Sequence, residues 1–146
     1  MLGLLAGASL DQSIKQLPAR HRLGAIAYSQ YSRAADLASG VPFYGILGVG
    51  AVLLSVGAGL SAFVQGVTAP AAPWIYLGAG LAIVHTLVTT RAAPLNLSQR
   101  QIPADDEARL ASVLDRFTRW QNIRCVLQIV DFGVTLWALI AFAASS

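Results

Sequence analysis

The sequence predicts an all-α integral membrane protein: a four-helix bundle with a short first span and amphipathic cytoplasmic helices. The run from Leu37 to Thr90 contains no Lys, Arg, Asp or Glu, and it is more than twice as long as the roughly 20 residues that cross a bilayer. Of the 146 residues, 55% are hydrophobic and only 12% are charged, whereas soluble domains average about 25% charged residues. All ten basic residues flank the uncharged run, as expected if both flanks face the cytoplasm.

The chain is expected to form a single domain, residues 1–146, with spans at about 1–17, 41–64, 73–92 and 121–144. The second and third spans form a hairpin, whose outward turn at Gln65 to Pro73 is marked by glycine and proline. The first span is short, because only Met1 to Leu10 is continuously apolar. Either the chain starts further upstream or this helix is a half-span shielded by its neighbours. A signal peptide is less favoured, since no basic segment precedes the apolar stretch.

The segments 18–40 and 91–120 are expected on the cytoplasmic side of a bacterial cytoplasmic membrane. In the first, an amphipathic helix should place Tyr28 and Tyr31 at headgroup level. In the second, Pro103 and three acidic residues favour a helix start, and no breaker separates this helix from the fourth span. The sequence pI near 9.5 is explained by topology and by contact with lipid headgroups, so nucleic acid is not an expected partner.

Small residues recur at helical spacing on the middle spans, which lets helix backbones approach closely in lipid. On the second and third spans they are Gly48, Ala51, Ser55, Gly59, Ala62, Gly78 and Ala82.

Ionisable residues within the spans are the candidates for chemistry, because a charge in hydrocarbon is costly unless it finds a partner. His85 lies six residues from Arg91, and Asp131 lies seven residues from Arg124. At about 1.5 Å per residue both are roughly 10 Å from the same cytoplasmic level, so we expect them to touch. A hydrogen-bonded pair that only fixes helix register would give the same pattern.

Other chemical signatures are missing from the sequence. No Cys and His cluster or Glu-x-x-His pair suggests a metal site, no glycine-rich phosphate loop follows a strand, and no cofactor is expected. An enzyme of this sequence would therefore depend on acid and base chemistry.

Short motifs at the cytoplasmic ends of the spans carry a resemblance. Pro94-Leu95-Asn96 follows the third span, and the run from Arg119 to Arg124 (Arg-Trp-Gln-Asn-Ile-Arg) opens the fourth. With Gly3 to Ala8 and Leu17 to Arg20, this resembles the four-helix membrane family of unknown function that includes the anthrone oxygenases.

The resemblance implies oxidation of a fused-ring phenolic to a quinone by molecular oxygen, without metal or flavin. The matching positions are Asn96, Trp120, Asn122 and Arg124. His85 or Asp131 would be the base and Arg124 the group that holds the anion, with Gln128 as a further substrate contact. Helix capping and headgroup contact are the structural alternative for Arg124 and Asn96.

Two hypotheses of different class follow. In the first, the bundle holds a flat hydrophobic molecule, an aromatic or a quinone, and transforms it. In the second, it is an accessory subunit that packs its glycine-rich faces against a larger membrane complex or a second copy. The short first span favours the second, because a half-span needs protein neighbours. A proton-coupled transporter would rest only on His85 and Asp131, and no internal repeat supports it.

Overall fold

The computed structural model describes residues 1–68 and 70–144, and within these ranges every regular element is helical. The α-helices in that part of the chain are α1 (Leu2–Asp11), α2 (Leu17–Leu23), α3 (Ala25–Ala34), α4 (Val41–Val64), α5 (Ala72–Ser98) and α6 (Glu107–Ala143). Two π-helical turns join them, Gln12–Gln16 between α1 and α2 and Ala35–Gly40 between α3 and α4. A 3-10 turn, Gln99–Gln101, follows α5.

Among the described residues, three helical stretches are long and apolar enough to cross a membrane: Ala25–Val64, Ala72–Gln101 and Glu107–Ala143. The chain thus has the helices of an integral membrane protein, as predicted. Helix α4 has the bounds expected for the second span, whereas α5 continues beyond the expected end near residue 92 and includes Pro94. The short helix α1 is not among the three.

Helix α6 is a single element of 37 residues, which confirms the expectation of one long helix. The Asp106 carboxylate caps its first turn by accepting from the Arg109 backbone N–H at 3.1 Å, which satisfies one of the free donors of a helix start. At 1.5 Å per residue α6 is about 55 Å long. It therefore extends well beyond the roughly 30 Å hydrocarbon layer.

The helical run from Leu2 ends at Gly24, whose φ of 84° is a conformation that glycine adopts readily. This break lets α3 fold back against the start of α6, around a core that includes Tyr28, Leu114 and Phe117. Tyr28 is only 2% exposed, so its ring packs in this core and does not lie on the outer surface of the helix. Tyr31 is half-exposed.

Arginine side chains form hydrogen bonds between this part of the protein and the connection from α5 to α6. Arg33 donates to the carbonyls of Gln99 and Ile102, and Arg100 donates to the Leu37 carbonyl. Arg33 thus binds carbonyls in and after the 3-10 turn, and Arg100 binds a carbonyl of the π-helical turn Ala35–Gly40.

The small residues of the middle spans are used for packing within the chain. A Cβ built at Gly59 of α4 would lie 3.0 Å from the Cβ of Ala79 on α5. One built at Gly78 would lie 3.4 Å from the Thr135 hydroxyl and 3.7 Å from an Asp131 carboxylate oxygen, both on α6. The helices therefore approach closely at Gly59 and Gly78, as expected, whereas a Cβ at Gly48 would meet no atom within 4 Å.

Helix α5 packs against both α4 and α6. Helix α1 also packs against α4 and α6. The N-terminal helix thus completes the wall of a cavity that the three longer helices leave open.

Candidate functional site

A partly open cavity of about 260 Å³ lies between α1, α4, α5, α6 and the two π-helical turns. Its wall is mainly apolar. The polar side chains that line it are Ser9, Gln12, Gln16, Asp36, Tyr44, His85, Thr89, Asn96, Arg124 and Gln128. On α5 the lining runs from His85 to Leu97, so the cavity extends roughly 18 Å along that helix.

His85 lies at one end of the cavity with Gln128. The imidazole is 7% exposed, and its Nε2 lies 2.9 Å from the side-chain nitrogen of Gln128, which is 3% exposed. The Thr89 hydroxyl, one turn along α5, donates to the His85 carbonyl at 3.0 Å and lies 3.3 Å from Nε2. In this arrangement Nε2 accepts from the amide of Gln128, and the ring proton of neutral histidine is on Nδ1.

Arg124 enters the same cavity from α6, one turn before Gln128. Its guanidinium is close enough to His85 to interact with it electrostatically. Within residues 1–68 and 70–144 it forms no ion pair, and its buried Nε has no hydrogen-bond partner. Arg124 is half-buried, and taking a cation partly out of water without a counter-charge is costly, so this position favours an anionic oxygen brought by a ligand.

Asn96 lines the cavity near the other end. Its side-chain oxygen accepts from the amide of Gln99 at 2.5 Å, and Gln99 is fully buried. Asn96 is therefore held by a neighbouring side chain; this bond is not the helix capping or headgroup contact that the structural alternative proposed.

The remaining predicted site residues lie away from the cavity lining. Asp131 is 1% exposed and packs against Gly78. Its carboxylate lies near the Thr135 hydroxyl, but neither oxygen makes a hydrogen bond of normal geometry within the described structure. The expected pairing of His85 with Asp131 is therefore wrong, because Gln128 takes that place. Trp120 and Asn122 are on the exposed surface of α6.

The sequence did not point to Asp36, Gln12 and Gln16 as lining residues. They lie on the two π-helical turns, and such turns often occur at functional sites. The turns were not predicted, because hydrophobic periodicity does not distinguish π from α geometry over a few residues. The only sequence signal is the position of polar residues beside apolar spans.

The arrangement joins an unpaired cation, an imidazole and several amide groups in one mainly apolar space. This set suits an aromatic molecule with an acidic oxygen. The part of the chain that the structure describes contains no group of three or more His, Cys, Asp or Glu residues that could hold a metal ion.

No protein-family model matches the sequence, and no curated protein or solved structure is significantly similar to it.

Proposed function

We propose that this protein is a membrane-embedded four-helix bundle that holds a flat aromatic molecule in its cavity and oxidises it to a quinone, as its resemblance to the anthrone oxygenases implies. The observation that carries the proposal is that Arg124, an unpaired cation, and His85 line the same mainly apolar cavity. An acidic aromatic needs both a base to take its proton and a positive group to stabilise the anion.

In this proposal the substrate is an anthrone, whose methylene carbon gives a proton to His85. The resulting anion places its oxygen at Arg124. The anion reduces molecular oxygen and forms a peroxide at that carbon, which takes the proton back from His85 to become a hydroperoxide. Loss of the second hydrogen of that carbon, with cleavage of the O–O bond, then releases water and gives the quinone. One oxygen atom ends in the quinone and the other in water, so the electrons balance without a further reductant.

In the structure Nε2 accepts from the amide of Gln128, so its lone pair is occupied. For His85 to act as the base, the Gln128 amide has to turn so that its oxygen faces Nε2; the ring proton then sits on Nε2 and the lone pair of Nδ1 can take the substrate proton. In this proposal Gln128 therefore controls which nitrogen of His85 is free.

The test is oxygen-dependent quinone formation from anthrone by the purified protein in lipid nanodiscs, after subtraction of the protein-free rate. Arg124→Leu should lower the rate by about 100-fold or more, as seen when a group that stabilises a developing anion is removed. Arg119→Leu, an exposed arginine on the same helix, is the matched control and should retain activity. Asp131→Asn should also retain it, because Asp131 lies outside the cavity lining.

Equal rates in wild type and Arg124→Leu would refute the proposal. The accessory-subunit hypothesis is the alternative outcome, shown by stoichiometric co-purification with a larger complex and no turnover. Gly59 and Gly78 pack helices of the same chain, so such a partner would have to contact other residues.

We further propose that segments 18–40 and 91–120 face the cytoplasm, because all ten basic residues lie in or beside these two segments. The turn between α4 and α5 then faces outward. A cysteine at the exposed Thr68 should be labelled by an impermeant thiol reagent in intact cells. One at the exposed Ala104 should be labelled only after permeabilisation. The native Cys125 is 4% exposed and should give little background. Labelling of Ala104→Cys alone in intact cells would reverse the orientation.

A further inference from the structure

The cavity has a second polar end, opposite His85. Asp36 and Gln16 line it there together with Asn96. A neighbouring hydrogen bond indicates that Asp36 lies near the Asn96 end: Arg100, four residues after Asn96, donates to the carbonyl of Leu37, the residue after Asp36. Asn96 is eleven residues beyond His85 on α5, so the two ends are roughly 16 Å apart along that helix.

This end presents hydrogen-bond acceptors. Gln16 donates its side-chain N–H to Asp11 at 2.6 Å, and its buried amide oxygen has no partner. Asp36 accepts from the Ser32 hydroxyl at 3.1 Å, and Gln12 interacts with the same carboxylate. A carboxylate can accept about four hydrogen bonds, so Asp36 retains capacity for more.

The arginines nearest this end are engaged elsewhere. Arg20 pairs with Asp115 at 2.6 Å. Arg33 and Arg100 donate to backbone carbonyls. Within the described residues no ion pair includes Asp36, so the wall has an unneutralised carboxylate at one end and an unneutralised guanidinium at the other.

We propose that Asp36 and Gln16 form a second subsite, which binds a hydrogen-bond donor, a hydroxyl or an amine, at the end of the ligand opposite its acidic oxygen. This inference rests on the proposed function and adds a specificity determinant to it. The ligand is then polar at both ends. A quinone with a hydrocarbon tail is disfavoured, because its tail would cover acceptors without satisfying them.

Three naphthols with the same ring and substitution pattern test the subsite: 2,6-dihydroxynaphthalene, 6-amino-2-naphthol and 6-methoxy-2-naphthol. Each carries an acidic hydroxyl at position 2. The substituent at position 6 has a hydrogen-bond donor in the first two probes and no donor hydrogen in the third. Affinities are measured from naphthol fluorescence with the full chain in nanodiscs. We expect the donor probes to bind about 10-fold more tightly than the methoxy probe, the effect of leaving buried acceptors unpaired.

For each variant, the affinity of a donor probe is divided by the affinity of the methoxy probe. Because both are measured on the same protein sample, a partial loss of folded protein does not change this ratio. Asp36→Asn should lower this ratio by about 3-fold or more, because a charged acceptor forms the stronger bond. The double variant Asp36→Asn with Gln16→Met should bring it close to one. Asp105→Asn, an exposed carboxylate outside the cavity, is the control and should preserve it.

The outcomes separate the subsite from the proposed function. If all three probes bind equally and lose affinity in Arg124→Leu, the subsite is refuted while the proposed function stands. If no probe binds in an Arg124-dependent way, both are refuted.

Discussion

Replacing Gly59 by leucine should lower the free energy of unfolding by about 3 kcal/mol, at the upper end of the usual cost of overpacking. Gly59 is buried where α4 meets α5, and even a Cβ there would lie 3.0 Å from the Cβ of Ala79. A leucine would have to push the two helices apart. The effect is measured as a shift in the SDS-induced unfolding transition of the protein in mixed micelles.

Gly57→Leu is the matched control on the same helix. A Cβ at Gly57 meets no atom within 4 Å, so its side chain should extend into lipid and leave the unfolding transition within about 0.5 kcal/mol of wild type, as for surface positions generally. Equal destabilisation by the two substitutions would contradict the close approach of α4 and α5.

Leu114→Ala should cost about 2–5 kcal/mol of unfolding free energy, the range measured for large-to-small changes in packed cores. Leu114 is fully buried in the cluster that joins α3, α5 and the start of α6. Its removal would leave a cavity beneath Tyr28 and Phe117, which belong to the same cluster. The same unfolding titration measures the loss.

Leu139→Ala provides the comparison, since it is the same substitution on the same helix. Leu139 is 65% exposed and should lie against lipid tails, where truncation costs little packing within the protein. If Leu139→Ala destabilised as much as Leu114→Ala, the cluster would not be the main core of this end of the molecule.

The spans could be predicted from sequence because hydrophobicity and charge alone determine them. The expected limits of the second span coincide with α4, Val41–Val64. The start of α6 was also predictable, since Pro103 and the three acidic residues after it favour a helix N-terminus; the structure adds that Asp106 caps it. Both features depend on local chemistry that is visible in a few neighbouring residues.

The pairing across helices could not be predicted in the same way. Arg124, Gln128 and Asp131 share one face of α6, because they follow each other at four and three residues. Their depth in the membrane hardly separates Gln128 from Asp131, since three residues correspond to only about 4.5 Å along the helix. Sequence reasoning therefore chose the charged residue, Asp131, as the partner of His85, whereas the structure places Gln128 there.

The two π-helical turns have a consequence for how this cavity is specified. Each behaves like a single-residue insertion in an α-helix, and one residue corresponds to about 100° of rotation about the axis. The turns thus reset which side of the chain Gln12 and Asp36 present relative to the apolar helices beside them. Loss of one residue in either turn would leave hydropathy and span number unchanged, yet would rotate polar groups away from the interior. Descendants of one such sequence can therefore keep the same membrane architecture while differing in what the cavity accepts.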